Sequence, residues 1–414
     1  MQQPYSLYIH IPFCRRRCGY CDFNTYAGME PWIDDYITAL CQEMETVAGA
    51  AGEILPVGTI FWGGGTPSLL SVAQISRVHD VLRGHFCLQS DVEVTLEANP
   101  GTVSSSWLAE LHQMGFNRLS FGMQSANPAE LRLLDRMHTP GDVPRAVSWA
   151  REAGFENLNL DLIYGLPNQR LSDWRQTLLA ALDYEPEHLS LYALTIEPGT
   201  PLAAQVEAGR VNRPDDDLAA DMMDLADDLL AAAGFVQYEI SNFARGLTRA
   251  CRHNLQYWRN LPYLGFGAGA HGSAAHWRMA NLAPIPAYIG ALTSPAGELQ
   301  FPFSPANAER NAIDRWTEIQ ETLMVGLRLT HEGVAAAGFR QRFGVDLTTL
   351  FGAIIDRLQT LGLLEWADLD TGQVLRLSPA GRLLGNQVFS AFIDEPEPPS
   401  IQEDPGSSPT LSPQ

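Results

Sequence analysis

Between Tyr5 and about Thr200, short runs in which apolar and polar residues alternate are interleaved with longer runs whose apolar positions recur every three or four residues. The first pattern predicts strands at 6–11, 57–62, 92–97, 118–121, 157–163 and 188–194; the second predicts helices between them, clearest at 32–47, where Ile33, Tyr36, Ile37, Leu40, Cys41 and Met44 fall on one stripe. Strands alternating with helices imply βαβ units and a parallel sheet. The fold class that follows is α/β, a partial barrel of six such units.

The predicted strands also divide by polarity. Asn157, Asn159 and Asp161 alternate with Leu158, Leu160 and Leu162; Glu93, Thr95 and Glu97 alternate with Val92, Val94 and Leu96; Arg118 and Ser120 oppose Leu119 and Phe121. Successive side chains of a strand point to opposite faces. If helices cover the apolar face, the polar face lines the interior, which a filled barrel would pack with branched apolar side chains. A polar lumen calls for a bound polar ligand, or else for an interior paired with itself or with water. Isolated buried carboxylates are costly, which favours the ligand.

Farther along, 215–230 reads as an amphipathic helix with Leu218, Met222, Leu225 and Leu229 inward and its aspartates solvated. From 241 to about 290 periodicity fades and glycine, proline and aromatics accumulate, the pattern of a loop-rich connector. A second domain is expected from Asn307, with a helix through Leu323, another at about 350–361, strands at 363–366 and 374–377 around Asp370-Thr371-Gly372, and a last helix capped by Ser378-Pro379. Helices with a hairpin suggest a small winged-helix-like α+β module. The expected division is 1–240 barrel, 241–306 connector, 307–393 C-terminal module and 394–414 disordered tail, the last from its proline, serine and acidic residues.

Composition narrows the function classes. The chain has 414 residues, 45% of them hydrophobic, and a formal charge of −21. That charge argues against nucleic acid or an anionic membrane as the main partner. No eighteen apolar residues run together, so no integral membrane segment is expected. Six cysteines in a chain this long make no disulfide framework. The expected compartment is the cytoplasm.

Three of those cysteines stand together in Cys14-Arg15-Arg16-Arg17-Cys18-Gly19-Tyr20-Cys21. Three soft thiolates in one loop suit an iron–sulfur cluster with one iron left open; the spacing alone equally admits a structural zinc completed by a distant histidine. The arginines would offset thiolate charge. Cys41 and Cys87 read as structural. Gly63-Gly64-Gly65-Thr66-Pro67 directly follows the second strand, where glycines let a ligand approach backbone N–H and C=O groups.

Taken together, Cys-x3-Cys-x2-Cys and the glycine stretch resemble the radical S-adenosylmethionine superfamily. The resemblance implies a [4Fe-4S] cluster on Cys14, Cys18 and Cys21, with the amino and carboxylate groups of S-adenosylmethionine on the open iron. His10-Ile11-Pro12-Phe13-Cys14, Gly122-Met123-Gln124-Ser125 and Asp161-Leu162-Ile163-Tyr164-Gly165-Leu166-Pro167 narrow it to the oxygen-independent coproporphyrinogen dehydrogenase group, over nearly the full length. Positions matching those that contact the cofactor in that group are Tyr8, Tyr20, Gly64, Gly65, Thr66, Glu97, Gln124, Arg136 and Asp161. Arg136 could equally be a surface ion-pair partner on a helix.

Two departures move the resemblance toward the HemW haem chaperones of that group. The dehydrogenase carries a further cysteine where this chain has Phe23, and His253-Asn254-Leu255-Gln256-Tyr257-Trp258 matches the chaperones' HNxxYW motif. The implied haem contacts are His253, as iron ligand, with Asn254, Tyr257 and Trp258 beside it; imidazole is a good axial ligand and aromatics pack on a porphyrin. Cys251 is a further candidate thiolate and His271 a further polar group near a ligand. The expected function is a haem chaperone that passes haem to an acceptor protein, with an electron donor such as a flavodoxin or ferredoxin serving the cluster. The contrasting readings are a radical decarboxylase of coproporphyrinogen III and a zinc-stabilised scaffold without redox chemistry.

Overall fold

The computed structural model describes residues 3–293, 297, 299–370 and 372–393; the expected tail 394–414 lies outside the described residues, as does Thr371 of the expected turn. The chain forms two compact units. Over the described residues one comprises 3–236, 241–253 and 262–310, the other 237–240, 254–261 and 311–393.

Strands β1 (Tyr5–Ile11), β2 (Pro56–Gly64), β3 (Cys87–Ala98), β4 (Arg118–Gln124), β5 (Leu158–Tyr164) and β6 (His188–Ala193) build the first unit. They lie side by side in chain order and all parallel. This singly wound run of six parallel strands and their helices matches the expected six βα units. The alternation read in the sequence sorts the side chains: Leu96, Leu119, Phe121, Leu158, Leu160 and Leu162 are buried among the covering helices in one large core. Among those helices, Ile33–Ala50 turns Tyr36, Ile37, Leu40 and Met44 inward, as its periodicity predicts.

Part of the polar face is paired with itself, while Glu97, Ser120 and Asp161 of the same face also line a cavity. Asn159 donates through Nδ2 to Ser120 Oγ and to Asp161 Oδ1, both at 2.8 Å, and its Oδ1 meets His188 Nδ1 at 2.6 Å and accepts from Ser190 Oγ at 3.1 Å. The end of the lumen nearest Gly64 and Gln124 opens into that cavity.

The stretch 241–306, expected to be loop-rich, is largely regular. It contains β7 (Asn242–Ala244), β8 (Tyr263–Phe266), β9 (His271–Ala274), β10 (Trp277–Asn281) and the helices Arg252–Trp258 and Ile285–Thr293. β7 pairs antiparallel with β6 at one edge; β8 pairs parallel with β1 at the other and is followed by antiparallel β9 and β10. Strands of three to five residues are too short to display a period in sequence. In the helix Asp216–Ala232 the buried stripe is Met222, Ala226 and Leu230, one step round from the expected Leu225 and Leu229. The small Ala226 permits close approach, and Trp174 Nε1 donates to the Met222 carbonyl at 2.8 Å.

The second unit has helices Arg315–Gly326, Ala336–Phe343 and Leu347–Thr360 and a three-stranded antiparallel sheet in which Leu364–Leu369 and Gly372–Leu377 form the expected hairpin and Val334–Ala335 adds an edge. It draws in two short segments from elsewhere in the chain. Thr330 Oγ1 donates to the Gln237 carbonyl at 2.8 Å, and the Arg328 guanidinium lies 4.7 Å over the Trp258 ring.

Candidate functional site

The cysteine loop begins where β1 ends. Phe13 and Cys14 pair in parallel with Tyr26 and Ala27, closing the loop at its base, and Cys21 N donates to the Cys18 carbonyl at 3.2 Å. Its returning arm is fastened by β1 and by the region around β10. His10 Nε2 meets the Asn24 carbonyl at 2.9 Å, Asn24 Nδ2 donates to the Ala268 and Ala283 carbonyls at 2.9 and 3.1 Å, and Tyr26 OH donates to Ala283 at 3.0 Å. The segment that the sequence leaves as connector therefore positions the cysteines.

Beside the loop runs the end of β2. Gly64 has φ +108°, and a side chain at Gly65 would strike the Phe13 carbonyl at 2.7 Å, so neither position accommodates anything larger without strain. Gly65 N donates to the Ile11 carbonyl at 2.8 Å, holding this turn against β1. Thr66 Oγ1 donates to Cys14 Sγ at 3.5 Å, and Thr25 Oγ1 lies 3.9 Å from Cys21 Sγ.

These groups open onto one cavity of about 550 Å³, lined by Cys14, Cys18, Cys21, Tyr20, Gly64, Gly65, Thr66, Glu97, Gln124, Arg136 and Asp161. Tyr8 is not in its lining. It stacks on Phe61 at 6.4 Å, and its hydroxyl meets His10 Nδ1 at 2.9 Å. Arg136 is not a surface residue on a helix; it lies past the end of Pro128–Leu133 and donates to the Gly122 carbonyl at 2.8 Å and to Cys18 Sγ at 3.6 Å.

Electrostatics fits a cationic ligand. Burial, and next the Asp161 charge, push the Glu97 carboxyl up to about 8; burial also raises Asp161. Gly64 N donates to Glu97 Oε2 at 3.1 Å, and Ser120 Oγ donates to Asp161 Oδ2 at 2.9 Å. Two recessed carboxyls with raised pKa values favour a positively charged guest, and S-adenosylmethionine carries an ammonium and a sulfonium. The donor set fits a cluster too. Cys14, Cys18 and Cys21 all line the one cavity, three soft donors of the kind an iron–sulfur cluster takes. Burial raises the Cys14 and Cys21 thiols, and the exposed arginines do not reverse this; bonding to the metal itself is what would deprotonate them.

The second motif is placed differently. His253 is buried beneath the lumen, with Nδ1 2.8 Å from Thr59 Oγ1, its ring stacked on Phe61 at 5.1 Å and its backbone N–H donating to Glu93 Oε1 at 3.0 Å. Burial, then Arg118, lowers its pKa to about 3. Cys251 Sγ, also buried, donates to the same Glu93 at 3.6 Å, and Arg252 N donates to it at 3.0 Å. The expected haem ligand is thus an interior group in this structure, enclosed because Glu93 gathers the start of its helix. Asn254, Tyr257 and Trp258 are half-buried and belong to the second unit. His271 is exposed on β9 and does not line the cavity. Sequence reasoning missed Glu43, whose carboxylate accepts from Gly267 N, Asn281 Nδ2, Tyr288 OH and Ser304 Oγ at 2.6–2.8 Å; a glutamate on the apolar stripe of a helix was the available signal.

The radical S-adenosylmethionine superfamily model matches residues 8–181, and the HemN C-terminal domain model matches 313–384. A haem chaperone HemW of Bacillus subtilis is 38% identical over 94% of this chain and 99% of its own. That of Mycobacterium tuberculosis is 44% identical over 94% and 95%. The chain belongs to the HemW family. Among solved structures, the Escherichia coli coproporphyrinogen III oxidase HemN, described as a radical SAM enzyme, superposes with a TM-score of 0.78 at 26% identity, over 94% of this chain and 90% of that one. Membership in the HemW family accounts for the fold, barrel and C-terminal module alike. Among the described residues no helix is long and apolar enough to cross a membrane.

Proposed function

We propose that this chain is a cytoplasmic haem chaperone, binding haem and passing it to an acceptor protein, with a [4Fe-4S] cluster on Cys14, Cys18 and Cys21 and S-adenosylmethionine on its open iron. The observation that carries the reading is position 23. Relatives at 38–44% identity are named haem chaperones, and at the cluster this chain has an exposed Phe23 where the resembling dehydrogenases have a further cysteine.

When bound, the cluster supplies an electron-transfer centre whose open iron accepts a ligand. The chain's own residues then do the positioning. Gly64 and Gly65 keep the backbone clear, Glu97 and Asp161 offer acceptors to ammonium and ribose groups, Gln124 adds an amide, and Arg136 offsets thiolate charge at Cys18. Recessing the site restricts water. An electron donor such as a flavodoxin or ferredoxin would serve the cluster.

The test is a haem titration of anaerobically reconstituted protein followed by visible absorbance, alongside a coproporphyrinogen decarboxylation assay. Stoichiometric haem binding without decarboxylation is expected. Clear turnover would instead establish the dehydrogenase reading. Replacing any one of Cys14, Cys18 or Cys21 by serine should remove most of the iron and sulfide.

A further inference from the structure

His253 is enclosed in this structure, and the mouth of the cluster cavity offers haem an open surface. Soluble proteins scatter exposed apolar side chains, and a cluster of them calls for a partner. Phe23, Met137 and Tyr192 are 63%, 58% and 43% exposed, and all three line the mouth of this one cavity. They come from three separate places: the cysteine loop, the turn that carries Arg136, and the end of β6. Met137 points outward between Arg136 and His138, which are turned inward. An aromatic ring and a thioether are the contacts a porphyrin face takes up.

The charge of the rim is as particular as its polarity. In a chain of net charge −21, three consecutive arginines border the opening. Asp135 pairs with Arg16 at 2.5 Å; Arg17 donates to the Phe23 carbonyl at 3.3 Å and makes no ion pair with a carboxylate; Arg15 has no partner among the described residues, although Asp22, Asp142 and Glu197 also line the cavity. Apolar contacts beside two guanidiniums that are free of ion pairs complement a flat, apolar ring bearing two carboxylates. Lipid or peptide would not need that combination on so small a rim.

Resting on the haem-chaperone reading, we infer that haem docks across the mouth of the cluster cavity, its ring against Phe23, Met137 and Tyr192 and its propionates toward Arg15 and Arg17. The cofactor, held deeper by Glu97, Asp161 and Gln124, and the haem would then occupy one funnel at two depths. Phe23 thereby gains a role: the residue that replaces a cysteine is part of the haem platform.

The experiment titrates ferric haem into full-length reconstituted protein and compares the wild type with Phe23→Ser/Met137→Ser, Arg15→Glu/Arg17→Glu, His253→Ala and the control Ile54→Ser, an exposed apolar residue outside the cavity lining. Each rim pair should weaken haem at least about tenfold, a difference of about 1.4 kcal/mol, while His253→Ala and the control stay near wild type. Haem binding by the wild type with unchanged affinity in both rim pairs would overturn the rim site and leave the chaperone function standing. No binding by the wild type would overturn the function itself. Hydrogen exchange on the wild type needs no variant: haem should protect 15–23 and 135–138, and protection confined to 252–258 would overturn the proposal.

Discussion

Glu97 shows how a single buried group makes the site sensitive to its contents. Its carboxyl, pushed up to about 8, ionises near 4.3 in an unfolded chain. The folded pKa lies above the unfolded one, so the contribution to stability is full below about pH 4.3 and is lost as the pH rises through about 8. Cofactor-free protein should therefore lose stability across that window, and Glu97→Gln should flatten the fall; melting temperatures at stepped pH will show it, and identical slopes would refute the assignment. His253 is the opposite lesson. Its motif was legible in the sequence, but its setting was not, since the contacts that enclose it come from Thr59, Phe61 and Glu93, far away in the chain. His253→Ala should cost about 2–4 kcal/mol in urea unfolding, for a lost buried ring and hydrogen bond, and leave the haem spectrum unchanged. A spectrum that changes without a loss of stability would identify it as a ligand.

At the level of elements, the six strands of the barrel were readable because each alternates over several residues and is followed by a long periodic helix. The strands β8 to β10 were not, being only four or five residues long. Yet they fix the site. Glu43, on the helix Ile33–Ala50, binds four donors from this extension, including Gly267 N next to the Ala268 carbonyl that holds Asn24. Glu43→Ala would strand those donors in the interior at a cost of about 3–5 kcal/mol and loosen the returning arm of the cysteine loop. The expected outcome is a lower denaturation midpoint together with reduced iron per chain after reconstitution. Full iron content in a destabilised variant would separate the two effects and reject the link.

Across the whole molecule, the two units are interleaved along the chain. The segments 237–240 and 254–261 find their partners beyond residue 310, through Thr330 on Gln237, Arg328 on Trp258, and Arg259 with Glu332 at 2.7 Å. A chain ended at Arg310 should therefore expose these segments and bind a hydrophobic dye where the full chain does not, although its barrel sequence is intact. A truncated form with native melting behaviour and no dye binding would show that the segments need no such cover. Pattern analysis places domain limits at single points along a sequence, and so it cannot express this interleaving.

By itself the sequence determined the class of fold, the cluster ligands it would offer and the glycines that must lie beside them, because strand period, thiol spacing and the need for a bare backbone are local properties. Tertiary structure alone decided which polar residues close on one another and which face a cavity. It buried His253, turned Phe23 and Met137 to the rim, and recruited a supposed connector to hold the cysteine loop. Burial and charge balance depend on neighbours distant in the chain, and no local pattern records them.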